Sequence, residues 1–194
     1  MKVLRKPLSL FMAMLMCLGI FAGTGTTAFA ATEEVGTITF TGTYDSNGNR
    51  MYYNTSAVIN GNTVGGAGHA KNRMYVDGDT AYCIEPSIPL NTGDTLRNDS
   101  SETWNALSDA QKKAVGLALL YGRQGNSTNL SGNDDEQWLA TQTLVWEFVT
   151  GYRNPTGSFE QLDSTVYSLH FGENYPNAGA RAVYDQIVSL LQRH

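Results

Sequence analysis

The chain has 194 residues, with 13 Lys+Arg against 18 Asp+Glu and a formal net charge of −5. Its 41% hydrophobic, 10% aromatic and 16% charged composition suits one domain with a packed core and argues against a disordered chain. The acidic balance argues against nucleic-acid binding, and two cysteines with three scattered histidines (His69, His170, His194) offer no metal-ligand spacing, so no metal or cofactor is expected.

The first thirty residues read as a leader. Lys2, Arg5 and Lys6 precede an apolar stretch from Leu8 to Phe21, and Ala28-Phe29-Ala30 supplies an A-x-A cleavage pattern. A membrane anchor would need about 20 apolar residues and different flanks. Cys17 follows Met16 inside the apolar stretch, which is not a lipid-attachment context. Residues 1–30 are therefore assigned as a signal peptide and 31–194 as the exported domain. Cleavage removes three positive charges and one cysteine, leaving Cys83 alone. A solitary cysteine in an exported protein is either an inert core thiol or a group kept for chemistry.

Short strands and tight turns follow. Thr37-Ile38-Thr39-Phe40-Thr41 alternates, and Asp45 to Asn49 has turn composition. Ser56-Ala57-Val58-Ile59 runs into Asn60-Gly61, a pair that tolerates positive φ and favours a type I′ hairpin. Arg73–Val76 and Thr80–Ile84 flank Asp77-Gly78, a second hairpin that puts Cys83 on a strand, with Pro86 and Pro89 ending regular pairing soon after. From residue 101 the period becomes helical. Ser108-Asp109-Ala110-Gln111 is a capping box for a helix ending at Gly122. Asp134-Asp135-Glu136 opens a second helix that stops at Gly151, and a third runs from about Ala178 to Leu191. The order implies an α+β fold: a β-rich lobe (about 35–100, sandwich or barrel-like) and a packed helical lobe (about 101–194).

One residue breaks the pattern. On the second helix, a step of about 100° per residue puts Trp138, Gln142, Val145, Trp146 and Val149 on one face, with Thr143, Glu147 and Thr150 opposite. Gln142 thus sits mid-stripe between two tryptophans. Burying a primary amide without partners costs roughly 1–3 kcal/mol, so the amide is either hydrogen-bonded to backbone or cap groups or chemically altered. Cys83 poses the same choice between a small hydrophobe and a reactive thiol.

The segment Ala81-Tyr82-Cys83-Ile84-Glu85-Pro86, followed by Trp138-Leu139-Ala140-Thr141-Gln142-Thr143-Leu144-Val145-Trp146, resembles the thioester domains of Gram-positive surface adhesins. There a Cys-Ile-Asp/Glu motif precedes a Thr-Gln-x-x-x-Trp helix motif. The resemblance implies an internal thioester between the Cys83 sulfur and the Gln142 side-chain carbonyl carbon, formed with loss of ammonia, at the interface of the two lobes. It further implies a single reaction with an amine, such as a lysine of a host surface or matrix protein, and not turnover. Tyr82, Trp138 and Trp146 would exclude water from the bond, and Glu85 and Thr141 would support it. A monomer on a bacterial cell wall, without membrane insertion after leader removal, is the expected setting. Family members usually carry stalks and a sortase signal. This chain ends at His194 without Leu-Pro-x-Thr-Gly, so it reads as a fragment or a shortened secreted form, and a closing strand could be missing.

Two other readings compete. A cysteine hydrolase or transferase would use Cys83 as nucleophile with His69 or His170 as base; His69, in a Gly-rich run, reads as a surface-loop residue. A non-covalent sugar- or protein-binding module would use exposed Tyr52, Tyr53 and Tyr75. Asp45, Asn47 and Asn49 alternate like calcium ligands, but Gly48 is misplaced and no later Glu completes a loop, so a plain turn is expected.

Overall fold

The computed structural model describes residues 34–97, 101–125 and 129–194; the leader assigned to 1–30 lies outside them. The fold is α+β. Strands β1 (Glu34–Gly42), β4 (Asn72–Val76), β5 (Asp79–Ala81) and β6 (Thr95–Arg97) form an antiparallel sheet in the order β5-β4-β1-β6. Strands β2 (Ser56–Ile59) and β3 (Asn62–Gly65) form a separate hairpin.

The two hairpins follow from their turn residues. Asn60 and Gly61 have φ of 50° and 80°, and Asp77 and Gly78 have φ of 49° and 88°, the left-handed pairs that a two-residue hairpin of matching twist requires. In β1 the alternation also holds: Ile38, opposite Val76, is buried, while Thr37, Thr39 and Thr41 face solvent. Asp45 closes its turn by accepting from the Asn47 and Asn49 amides at 2.9 and 2.8 Å.

Among the described residues five helices follow: α1 (Glu102–Ala106), α2 (Asp109–Tyr121), α3 (Asp134–Val149), α4 (Thr165–Phe171) and α5 (Ala178–Gln192). Helix α2 starts at the expected Ser108/Gln111 capping box. Helix α3 has a second one. Asn133 accepts from the Asp135 and Glu136 amides, while the Glu136 carboxylate accepts from the Asn133 amide at 2.8 Å. Glu136 also accepts from the Ser46 amide at 3.0 Å, pinning the 45–49 turn to the start of α3. Gly179 leaves room for this carboxylate, because a Cβ there would stand 1.9 Å from Glu136 Oε1. Neither α1 nor α4 is foreseen by the sequence pattern; at five and seven residues both are too short to show a period.

The expected two-faced character of α3 is not what the structure shows. Every residue from Trp138 to Phe148 is buried, because α2, α4 and α5 pack around this helix and β4 approaches it too. Thr143 and Glu147, placed opposite the tryptophan stripe, are fully buried. Thr143 donates to Leu139 O at 2.8 Å, and Glu147 meets Arg153 at 2.5 Å. Helix α5 does keep a one-sided stripe, burying Ala180, Val183, Tyr184, Ile187 and Leu191. Among the described residues, no helix is long and apolar enough to cross a membrane.

Candidate functional site

Strand β5 is an edge strand and ends at Ala81, so Cys83 lies two residues beyond it and not on the strand the hairpin pattern predicts. The reason is visible in the hydrogen bonds. Past Ala81 the backbone is taken up by side chains of α3 in place of a ladder partner. Trp138, Gln142 and Trp146 stand one helical turn apart on one face of the helix. Trp138 Nε1 donates to Ala81 O at 3.0 Å. Cys83 N donates to Gln142 Oε1 at 2.8 Å, and Gln142 Nε2 donates to Cys83 O at 2.7 Å. Trp146 Nε1 donates to the same Cys83 O at 2.8 Å.

Gln142 is 2% exposed and satisfied by the peptide unit of Cys83, 59 residues away. The amide orientation follows from its partners: the donor at Cys83 N faces the amide oxygen and the acceptor at Cys83 O faces the amide nitrogen. Cys83 is a free cysteine beside this amide. Burial pushes the thiol pKa up, and the nearby Glu85 charge adds to it, while the Glu85 amide at 3.4 Å and the Trp146 side chain act against it. The thiol is therefore protonated at neutral pH.

The supporting residues divide. Trp138 and Trp146, at 5% and 6% exposure, enclose the carboxamide on its helix. Tyr82 stacks on Trp138, with ring centroids 6.4 Å apart and planes 16° from parallel. Glu85 touches the sulfur only through its backbone; its carboxylate turns to the Ser101 hydroxyl at 3.0 Å, at the start of α1. Thr141 points elsewhere, donating to Gln137 O at 2.8 Å and accepting from Arg123 N at 3.1 Å. Its role is to fasten the end of α2 to α3.

A cavity of about 360 Å³ opens beside the pair, bordered by Cys83, Gln142, Trp146, Tyr53, Lys71 and His170 among others. His69 is exposed and does not border it. Of the two histidines considered as bases, only His170 is present. Tyr52, Tyr53 and Tyr75 are not the exposed aromatics of a binding face. All three are half-buried: Tyr52 packs on Tyr175 at 5.2 Å, Tyr75 lies under the Arg73 guanidinium at 4.9 Å, and Tyr53 faces the cavity. Burial, helped by the charge of the Cys83 thiolate, pushes the Tyr53 pKa up to about 12. Lys71 has no signature in the sequence, where it is one lysine in a polar stretch. Among the described residues no group of three or more His, Cys, Asp or Glu side chains is arranged to hold a metal ion.

A family model described as "Thioester domain" matches residues 80–192, a span holding both Cys83 and Gln142. The searches of curated proteins and of solved structures returned no match.

Proposed function

The chain belongs to the thioester domain family, and on that premise we propose that Cys83 and Gln142 form an internal thioester that captures a target covalently. The observation that carries this reading is the paired hydrogen bond between the Gln142 carboxamide and the Cys83 peptide unit, at 2.8 and 2.7 Å. An amide is a poor electrophile, and its reaction with a thiol needs a held geometry and a donor at the developing oxyanion. Cys83 N–H, already on Oε1, is such a donor. The sulfur attacks Cδ of Gln142, negative charge grows on Oε1 against that N–H, and Nε2 leaves as ammonia.

The bond then awaits a primary amine. Attack at Cδ frees the Cys83 thiol and leaves an amide on Gln142, so each molecule reacts once. The target class is a host surface or matrix protein offering a lysine. The setting is export, with display on a bacterial wall as part of a longer surface protein; the basic-apolar-small pattern of residues 1–30 supports export. Trp138, Trp146 and Tyr82 shield the bond from water.

Intact-mass measurement of the purified protein tests the bond. The wild type weighs one ammonia less than its composition, and Cys83→Ala and Gln142→Ala show no deficit. Methylamine adds its whole mass, leaving the protein one methylene heavier than its composition, and exposes one thiol. A wild type of full mass with a reactive thiol would refute the assignment. The presence of His170 at the cavity favours one competitor, a hydrolase with Cys83 as nucleophile. That reading requires many turnovers per protein and no dependence on Gln142 as a reacting group.

A further inference from the structure

The cavity beside Cys83 and Gln142 contains two basic groups that the structure leaves without partners. Lys71 is 2% exposed and His170 is 1% exposed. Lys71 Nζ and both ring nitrogens of His170 have no hydrogen-bond partner among the described residues. The Lys71 amine stands 3.6 Å from the centroid of the Tyr53 ring. His170 lies between the rings of Tyr53 and Trp146, at 5.5 and 5.4 Å. The Trp146 indole is itself hydrogen-bonded to Cys83 O, so the imidazole is one aromatic ring removed from the reacting residue.

Buried, unpartnered basic groups are costly, and a methionine and a phenylalanine would fill the same space without that cost. Among the described residues no carboxylate borders the cavity, so none of them there stabilises a second positive charge. The titratable groups facing the pair are Tyr53 and Cys83, with Glu85 reaching the sulfur from outside the lining. Burial holds the Lys71 amine well below its ordinary pKa, and burial with the nearby Lys71 charge does the same for His170. Each therefore resists taking up a proton, and their mutual repulsion disfavours two protons on the pair at once.

We propose that Lys71 and His170 form the proton-transfer pair of this site, serving both the making of the thioester and its opening by an amine. The inference rests on the thioester reading above and adds the acid–base groups it lacks. In the forward step the pair takes the Cys83 thiol proton through water in the cavity that Lys71, His170 and Cys83 all border. The sulfur lone pair forms the bond to Gln142 Cδ, and the C–N bond breaks. The departing nitrogen takes the proton back and leaves as ammonia, so the pair ends neutral. In the opening step an incoming amine bonds to Cδ and gives its surplus proton to the pair. The C–S bond breaks, and the sulfur regains that proton as a thiol. A neutral base in a cavity free of carboxylates also suits the substrate, because an ammonium ion cannot attack and its deprotonated form can.

The test follows release of the Cys83 thiol from the full chain by trifluoroethylamine, a weakly basic amine that stays largely neutral from mildly acidic to alkaline pH. The wild-type rate is expected to fall on acidification as the pair becomes protonated. Lys71→Met and His170→Phe are expected to slow thiol release by about 100-fold, the usual range of general acid–base assistance, and to flatten the pH profile. Folded variants, shown so by circular dichroism and thermal melting, that keep the wild-type rate and profile would overturn the proposal. Should either variant fail to fold, a pH-independent wild-type rate overturns it equally. A wild type lacking the one-ammonia deficit fails earlier, refuting the thioester and the pair with it, whereas an intact thioester with unchanged variants refutes the pair alone.

Discussion

Gln142 occupies both hydrogen-bonding groups of the Cys83 peptide unit, accepting from its N–H and donating to its carbonyl, as a neighbouring strand would. The proposed thioester would remove one half of this arrangement, because Nε2 would leave as ammonia. Cys83 O would then depend on the Trp146 indole, which already donates to it at 2.8 Å. On that proposal Trp146 would be the residue that keeps the Cys83 carbonyl satisfied after the reaction.

Trp146→Phe is accordingly expected to destabilise the reacted protein more than the unreacted one. Losing one neutral hydrogen bond costs about 1 kcal/mol, and leaving the acceptor unsatisfied costs about 1–3 kcal/mol. Chemical denaturation of Trp146→Phe in the wild-type and Cys83→Ala backgrounds measures the difference. Equal losses in both backgrounds would show that the indole has no special role after ammonia departs.

Much of the scaffold is legible in the sequence because its signals are local. Asn60-Gly61 and Asp77-Gly78 announce their turns by the φ they tolerate, and Ser108 with Gln111 announces a helix start. Gln142 stands out because a primary amide sits in a tryptophan stripe. Cys83 is misplaced onto a strand because pairing is decided by the partner: side chains from a helix 59 residues away take its backbone groups. The full burial of α3 is hidden for the same reason, since which helices surround it is a tertiary matter. Lys71 is invisible, as nothing in a lysine's neighbours along the chain reveals that it faces the cavity.

Lys71 and His170 also set a stability slope. Their folded pKa values lie well below the ordinary 10.5 and 6.5. The unfolded chain therefore binds more protons, and stability falls as pH drops from the unfolded values through the depressed folded ones. Burial makes the folded lysine resist the proton that the unfolded one readily holds, so Lys71→Met is expected to raise stability at neutral pH by about 1–3 kcal/mol. Melting temperatures from neutral to mildly acidic pH check this; the wild type should lose stability faster than the variant. A variant less stable than wild type throughout would mean that the amine is held by favourable contact with the Tyr53 ring.

Glu136 joins two distant parts of the chain. Its carboxylate closes the α3 capping box on Asn133 and holds the turn at Ser46 through both the amide and the hydroxyl. Glu136→Ala removes the cap and the turn anchor together, with an expected loss of about 1–2 kcal/mol, near the upper range for a helix cap. Glu136→Gln keeps the shape and can still accept, so it should fall between the two. Urea titration of both variants reads the difference, and an Ala variant as stable as wild type would place the α3 start under other control.

Arg153 tests how the far side of α3 tolerates charge. Its guanidinium donates to Glu147 at 2.5 Å, to Phe159 O at 2.5 Å and to the Tyr184 hydroxyl. Glu147 is fully buried and also meets Tyr184 at 2.9 Å and Gln161 at 2.7 Å. Burial lifts the Glu147 pKa above the usual carboxylate range even beside this cation. Arg153→Met removes the cation and leaves a buried carboxylate uncompensated, at an expected cost of about 3–5 kcal/mol at neutral pH. The raised folded pKa means that the native state holds its proton more tightly than the unfolded one. The stability it contributes is present below the ordinary carboxylate pKa and is lost as pH rises through the folded value. Arg153→Met should therefore recover part of its loss on mild acidification, and Arg153→Met with Glu147→Gln should recover it without acid. Thermal melts of both variants across that pH range settle the point, and a pH-independent deficit in the single variant would assign the loss to packing around Tyr184 and not to the stranded charge.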